Sequence, residues 1–325
     1  MQYRKLGRTG LKVSRLCLGT MTFGNQVDED SSRAIIHSAL DAGVNFFDTA
    51  DVYAGGQSEE ILGRALGTNR DSVVLATKVA NRTGPGPNDW GLSRMHIMKA
   101  IENSLRRLGT DHIDLYYVHL PDYTTPIEET VGVLDDLVRQ GKVRYTGCSN
   151  FRAWQLCKAL WASDVLGRAR FDCIQSPYNL VTRDIEYELL PLCASEGVGV
   201  CVYNPLAAGL LTGKHTADRP PAQGTRFSME SIGQMYSERY WQEANFRAVA
   251  RLQQIAEEHG RGLAQFALAW VLHSSIITSA ICGSTSVEQL EQNLGAVEIE
   301  LSPQELDACD EVWRELRPPR FFYGR

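Results

Sequence analysis

A chain of 325 residues, 43% hydrophobic and 22% charged, has the composition of an ordinary globular protein with enough apolar side chains for a substantial core. Its formal charge of −6 gives no electrostatic ground for a nucleic-acid or anionic-membrane partner, and no apolar run approaches the length of a membrane span. MQYRKLGRTGLKVS lacks the apolar stretch of a signal peptide, and five of the eight cysteines (Cys17, Cys148, Cys173, Cys201, Cys282) sit in apolar strand-like runs without CxxC or Cys/His spacing, so the chain reads as a cytoplasmic protein with buried thiols.

In chain order, YRKLGRTGLKVS predicts a small hairpin, followed by a strand over 15–20 and a helix near 31–42. The alternation continues with strand 44–49, helix 58–67, strand 72–79, helix 93–108, strand 113–119 and helix 127–140. Strand 143–149, helix 151–166, strand 171–176, helix 183–196 and strand 198–204 follow. A stretch rich in Gly, Pro, Arg and polar residues, 207–240, reads as a long loop able to fold over a ligand. Helix 241–259, strand 277–283, helix 286–296 and a further helix over 302–316 complete the chain. Ser93 is a good N-cap for its helix, whose face carries Ile97, Ala100, Ile101, Ser104, Leu105 and Leu108. Gly43, Gly109, Gly141 and Gly197 each follow a helix, where positive φ is favoured.

Eight strand–helix alternations with short linkers predict a (β/α)₈ TIM barrel spanning 1–325 as one domain, with an N-terminal hairpin at its closed end and an extra C-terminal helix. A doubly wound sheet would want GxGxxG after the first strand, and LGTMTFGN does not provide it.

Three of the strand runs finish on ionisable groups: FFDTADVY on Asp48, with Tyr53 five residues later, SVVLATKV near Lys78, and HIDLYYVHL at His119. A parallel barrel buries its strands and exposes chemistry where they stop. Singly, Asp48 could cap a turn, Tyr53 could be a half-buried aromatic, Lys78 a surface charge and His119 a core histidine. Together on one barrel face they form a proton-transfer set. A phenol is a poor acid at neutral pH unless a cation stabilises its phenolate; Lys78 supplies that cation, Asp48 holds it, and His119 orients a carbonyl oxygen. Protonating a developing alkoxide is what carbonyl reduction requires. A barrel metallohydrolase with Asp48, Asp51 and His119 as ligands is a competing reading, weakened because no HxH pair stands at a strand end. The NRT triplet at Asn81 matches a glycosylation sequon and carries no meaning in a cytoplasmic chain.

GVNFFDTADVY followed by GGQSEEILGRAL, the Lys of LATKV and the His of VHLPD resemble the aldo-keto reductase family, as do GKVRYTGCSNF, IQSPYNL, YNPLAAGLLTGK and ICGSTSVEQLEQNL, in order over nearly the whole chain. The branch resembled includes bacterial reductases and potassium-channel β subunits. The resemblance implies the tetrad Asp48, Tyr53, Lys78 and His119, with Tyr53 as general acid–base. It implies reduction of aldehydes or ketones with NADPH bound without a Rossmann fold. Ser149, Asn150 and Gln175 would hold the carboxamide, Tyr203 would stack on the nicotinamide, and Asn204, Leu206, Ala207, Gly209 and Lys214 would line the pyrophosphate, with Arg226 a second phosphate candidate. Thr20, Met21 and Gln26 would lie near the reactive half, beside Asp48, and Ser284, Thr285, Gln289, Gln292 and Asn293 would meet the adenosine end. Gly283 and Gln289 stand where many relatives carry Lys and Arg, so NADH remains admissible beside NADPH. No resident metal is implied. The expected partner is a small-molecule carbonyl compound, neither nucleic acid nor membrane; the oligomeric state is not encoded in any motif. A redox-sensing regulatory subunit is the alternative function, and retention of His119 favours catalysis over it. Trp90, Tyr123, Phe227, Trp241, Phe321 and Phe322 are candidates for an aromatic substrate pocket.

Overall fold

The computed structural model describes residues 1–230 and 232–317, so Phe321 and Phe322 lie outside the described residues. Its backbone contacts form two compact units: the first comprises Met1–Ser176, Ile185–Tyr203 and Ser275–Glu291, the second Pro177–Asp184, Asn204–Ser274 and Gln292–Arg325.

The first unit is built on the barrel. A two-stranded antiparallel hairpin, β1 (Tyr3–Lys5) and β2 (Lys12–Ser14), precedes eight strands: β3 (Leu16–Gly19), β4 (Phe46–Asp48), β5 (Val74–Val79), β6 (Ile113–Val118), β7 (Val143–Ser149), β8 (Phe171–Pro177), β9 (Gly199–Tyr203) and β10 (Ile277–Cys282). They close in the order β10-β3-β4-β5-β6-β7-β8-β9. The unbroken apolar runs follow from parallel strands covered on both sides: every residue of β5 is buried. Leu6, Val13, Cys17, Phe46, Ala76, Leu115, Tyr117, Cys173, Cys201 and Ile281 pack together as a core, so the interior is filled rather than hollow. Tyr117 claims much of that space. A Cβ on Gly147 of β7 would stand 2.7 Å from its ring and 2.8 Å from the Cys173 carbonyl. Backbone cannot yield as a flexible side chain can, so Gly147→Ala is expected to cost roughly 1–3 kcal/mol, read as a lowered urea midpoint at unchanged slope.

The hairpin seats against the start of β9, as the predicted closed-end plug requires. Arg8 N–H donates to the Gly197 carbonyl at 2.7 Å, and Gly7, at φ 55, approaches so closely that a Cβ would lie 2.4 Å from that oxygen. Helices α1 (Glu29–Asp41), α2 (Gln57–Leu66), α3 (Arg94–Leu108), α4 (Ile127–Arg139), α5 (Ala153–Leu166) and α6 (Leu189–Glu196) occupy the connections. Ser93 caps α3 by accepting from His96 N–H, and Gly43, Gly109, Gly141 and Gly197 all take positive φ.

The second unit holds α7 (Gly233–Tyr240), α8 (Glu243–Glu258), α9 (Leu263–His273) and α11 (Pro303–Leu316), while α10 (Val287–Gly295) begins in the first unit. Three features differ from the sequence expectations. The stretch 207–240 is not all loop: it contains 3₁₀ turns at Ala207–Thr212 and Arg226–Ser228, and α7. Helix α9 has no counterpart among the predicted elements, because LAQFALAWVLH is apolar all round and offers no polar face from which a 3.6-residue period could be read. The predicted helix near 183–196 is two pieces, a 3₁₀ turn at Asp184–Glu186 and α6. Among the described residues no helix is long and apolar enough to cross a membrane.

Candidate active site

Asp48 closes β4, Lys78 is the penultimate residue of β5, and His119 follows β6. Parallel pairing sets Asp48 opposite Ala76 and Lys78 opposite Tyr117, so the ionisable groups arrive at one rim of the barrel. Tyr53 lies beyond the strand. Ala54 at φ 49 and Gly55 at φ 65 turn the chain sharply after it, a left-handed pair that costs energy for Ala and little for Gly.

Lys78 is wholly buried. Its ammonium donates to Asp48 Oδ1 at 2.5 Å, to the Thr49 carbonyl at 2.6 Å and, more loosely, to Tyr53 Oη at 3.4 Å. Each of its N–H bonds thus has an acceptor. Burial works against the charge, but Asp48 and Tyr53 outweigh it and raise the ammonium pKa above its usual value. Desolvation lifts the Asp48 carboxyl, with Lys78 and Gln175 pulling it back. The pair is read as ionised, because both Asp48 oxygens receive a donor, Gln175 Nε2 reaching Oδ2 at 2.9 Å.

His119 stands edge-on to Tyr53, ring centroids 5.9 Å apart at 79°. Burial, aided by the Lys78 charge, pushes its pKa down to about 3, so the imidazole is neutral. Asn81 Nδ2 lies 2.9 Å from His119 Nδ1. With the amide donating, Nδ1 accepts and the imidazole proton sits on Nε2. The sequence offers Asn81 only as an idle sequon; the usable signal is its position two residues past the end of β5.

Around these groups the first unit assembles a hydrogen-bonded string. Tyr203 Oη donates to Asn150 Oδ1 at 2.7 Å, and Asn150 Nδ2 donates to Ser149 Oγ at 3.0 Å and to the His119 carbonyl at 2.9 Å. Ser149, Asn150, Gln175 and Tyr203 are therefore at the same rim as the tetrad. Thr20 is buried, its hydroxyl bonded to Ser58 Oγ at 2.7 Å and to the Asp48 carbonyl at 3.2 Å; it braces the end of β3 rather than pointing outward. Met21, Gln26 and Gly283 are half-buried and Ser284 is buried. Thr285 N–H and Oγ1 both meet Gln289 Oε1 at 3.0 Å, which commits that oxygen to the first turn of α10.

In the second unit, taken by itself, the run from Asn204 is rich in left-handed backbone: Asn204 at φ 53, Ala207 at 48, Ala208 at 59, Gly209 at 99 and Gly213 at 75. Arg226 Nη1 donates to Asn204 Oδ1 at 3.0 Å. Asn204 Nδ2 is buried with no hydrogen-bond partner among the described residues. Lys214 curls back over Gly209, where a Cβ would meet its Cε at 3.6 Å and Nζ at 3.8 Å. An unspent donor, a φ-positive run and two cations suit an anionic diphosphate. Leu206 lies within this run, the Gln292 carbonyl accepts from Gln265, and Asn293 is buried.

The aromatic candidates divide. Trp90 is 43% exposed and Tyr123 76%, whereas Phe227 packs on Trp241 at 4.9 Å and on His215 at 5.1 Å and is interior to the second unit. Among the described residues no group of three or more His, Cys, Asp or Glu side chains is placed to hold a metal ion; Asp48 is already taken by Lys78 and Gln175.

The sequence profile of the aldo/keto reductase family matches residues 15–314. A probable voltage-gated potassium channel subunit beta of Arabidopsis thaliana is 41% identical over 319 residues, 96% of each chain, as is its namesake in Oryza sativa subsp. japonica. The oxidoreductase YrpG of Bacillus subtilis (strain 168), itself uncharacterized, is 40% identical over 324 residues, again 96% of each chain. A profile match over that span, on a closed parallel barrel and with relatives aligned nearly end to end, means that this chain belongs to the aldo/keto reductase family of oxidoreductases.

Proposed function

We propose that the protein is a cytoplasmic NADPH-dependent reductase of aldehydes or ketones, reversible toward alcohol oxidation. The observation that carries this reading is the buried Lys78 ammonium, anchored on Asp48 and Thr49 and turned toward Tyr53 Oη. When bound, the nicotinamide supplies hydride. Tyr53 Oη accepts from Lys78, so its own proton is directed away, toward a carbonyl oxygen gaining negative charge. Lys78 stabilises the phenolate left behind, and Asp48 keeps Lys78 charged and aimed. His119, neutral above about pH 3, donates from Nε2 and orients that oxygen without competing as an acid.

For the cofactor, Ser149, Asn150 and Gln175 are proposed to hold the carboxamide and Tyr203 to cover the ring. Gln175 spends its N–H on Asp48 and has Oε1 left to accept with. Asn204, the turn through Gly209, Lys214 and Arg226 are proposed for phosphate, supported by the unspent Asn204 donor. Turnover of NADPH and of NADH, followed by absorbance against aromatic aldehydes, hydroxy-ketones, sugars and quinones, tests the proposal. No oxidation of either cofactor with any of these classes would sink it.

The Asn81 contact gives a sharper expectation. Asn81→Ala frees His119 to adopt the other tautomer, and kcat is expected to fall on the order of 10²-fold, the low end for a positioned proton donor, while NADPH affinity stays as it was. Equal losses in both would assign Asn81 to cofactor binding instead. A regulatory role draws on the names of the plant relatives; the Lys78–Tyr53 contact and the neutral His119 support turnover, which the same substrate panel measures.

A further inference from the structure

Three residues after Asp48 and two before Tyr53 sits a second carboxyl that the proposed chemistry does not use. Asp51 is 4% exposed, and its main-chain N–H donates to the Lys78 carbonyl at 3.4 Å, which seats it at the end of β5. Neither carboxyl oxygen has a hydrogen-bond partner among the described residues; the Val52 amide approaches without reaching hydrogen-bonding geometry and only slightly favours the anion. Yet it is ringed by ionisable groups. Glu59 of α2, fully buried, is paired with Arg107 of α3 at 2.6 Å and accepts from Thr77 Oγ1 of β5 at 2.6 Å. Tyr116 of β6 is fully buried with its hydroxyl likewise unpartnered among the described residues. Lys78 of β5 and Asp48 of β4 complete the set, with Tyr53 on the same turn.

The charges of this cluster balance without Asp51. Lys78 and Arg107 are positive, Asp48 and Glu59 negative, and each cation is bonded to one acid. A further carboxylate would be buried with neither counter-ion nor donor, which is expensive. Burial, and then Glu59, push the Asp51 carboxyl up to about 8, against the pull of Arg107 and Lys78, and Tyr116 is driven well above the usual phenol value by burial and by Asp51. Asp51 therefore carries its proton at neutral pH and releases it just above.

We propose, on the basis of the reductase reading above, that Asp51 is a protonation-controlled positioning residue acting through Lys78: neutral, it leaves the ammonium free to polarise the Tyr53 phenol, and ionised, it draws on that same charge and opposes the phenolate. A unit charge at about 10 Å under an effective dielectric near 20 shifts a neighbour by about one pKa unit. The consequence is directional. Carbonyl reduction, which needs the phenol, is protected as pH rises, and alcohol oxidation, which needs the phenolate, is held back.

The test is Asp51→Asn, which keeps shape and removes the charge. Tyr53 ionisation is read as tyrosinate absorbance, taken as the difference between each protein and the same protein carrying Tyr53→Phe, and alongside it the pH profile of alcohol oxidation. The expected result is a Tyr53 midpoint lowered by about one pH unit in Asp51→Asn, with the oxidation limb shifted equally, and a midpoint restored toward wild type in Asp51→Glu. An unchanged midpoint in Asp51→Asn overturns the proposal. The absorbance needs no turnover, so a protein that reduced no carbonyl would sink the functional reading while the Tyr53 midpoint still decided the role of Asp51.

Discussion

Tyr53→Phe is expected to lower carbonyl reduction by a factor on the order of 10² to 10⁴, the contribution of a positioned general acid, while NADPH binding stays intact. The reason is proton supply. Lys78 is fully buried behind the phenol and hydrogen-bonded to Asp48 and Thr49, so it cannot replace the lost hydroxyl at the substrate. His119 is neutral, held by burial at a pKa of about 3; giving up its Nε2 proton would create an imidazolate, far too basic to serve. The fold should hardly notice. The Lys78–Tyr53 contact is long, 3.4 Å, and removing one such bond costs at most about 1 kcal/mol. Steady-state rates, a fluorescence titration with NADPH and a thermal melt together decide the matter: near-normal turnover refutes the role, and a collapsed melt would mean that the loss of rate reports unfolding.

That Asp48, Lys78 and His119 meet at one rim is legible because each stands at the end of an apolar run, with Tyr53 five residues beyond the first. LATKV reads as a buried strand, and a lysine inside it needs an acid, which FFDTA supplies on the neighbouring strand. The partners of those residues were not legible. Asn81 matters only because His119, thirty-eight positions on, comes to rest against it. Asp51 stands out because donors fail to reach it, and no sequence pattern records such a failure. The same distinction runs through the fold. Alternation gave the barrel, but α9 has no polar face, so the period on which helix recognition rests is missing. Helix α7 lies in a stretch whose Gly, Pro and charge content reads as loop, and its eight residues bury only Gly233, Tyr236 and Tyr240. Thr20 shows the same limit, since its place on the first βα loop is legible while the bonds of its hydroxyl to Ser58 and the Asp48 carbonyl are not.

Lys78→Met carries the largest expected effect on stability. Asp48 is 2% exposed; without the ammonium it keeps the Gln175 amide as its side-chain donor, and the Thr49 carbonyl loses its bond to Nζ. Breaking a buried ion pair from one side costs roughly 3–5 kcal/mol because it strands the other charge, a large share of the roughly 5–15 kcal/mol that holds a typical domain together. The loss should depend on pH. Desolvation already raises the Asp48 carboxyl above its unfolded value, and removing Lys78, which pulls it down, raises it further. A folded-state pKa above the unfolded one means that the folded protein holds the extra proton, so the stability of Lys78→Met falls as pH rises from the unfolded carboxylate value toward the folded one. Urea midpoints should accordingly lie closer to wild type near about pH 5 than near about pH 8. Adding Asp48→Asn removes the stranded charge and should return part of the stability at the higher pH, since paired deletions in contact are not additive. An equal deficit at both pH values, or a double variant no more stable than Lys78→Met, would show that the ammonium contributes by packing alone. Turnover should stay lost in both variants, because neither can stabilise the Tyr53 phenolate: activity follows the cation, whereas stability follows the balance of charge around it.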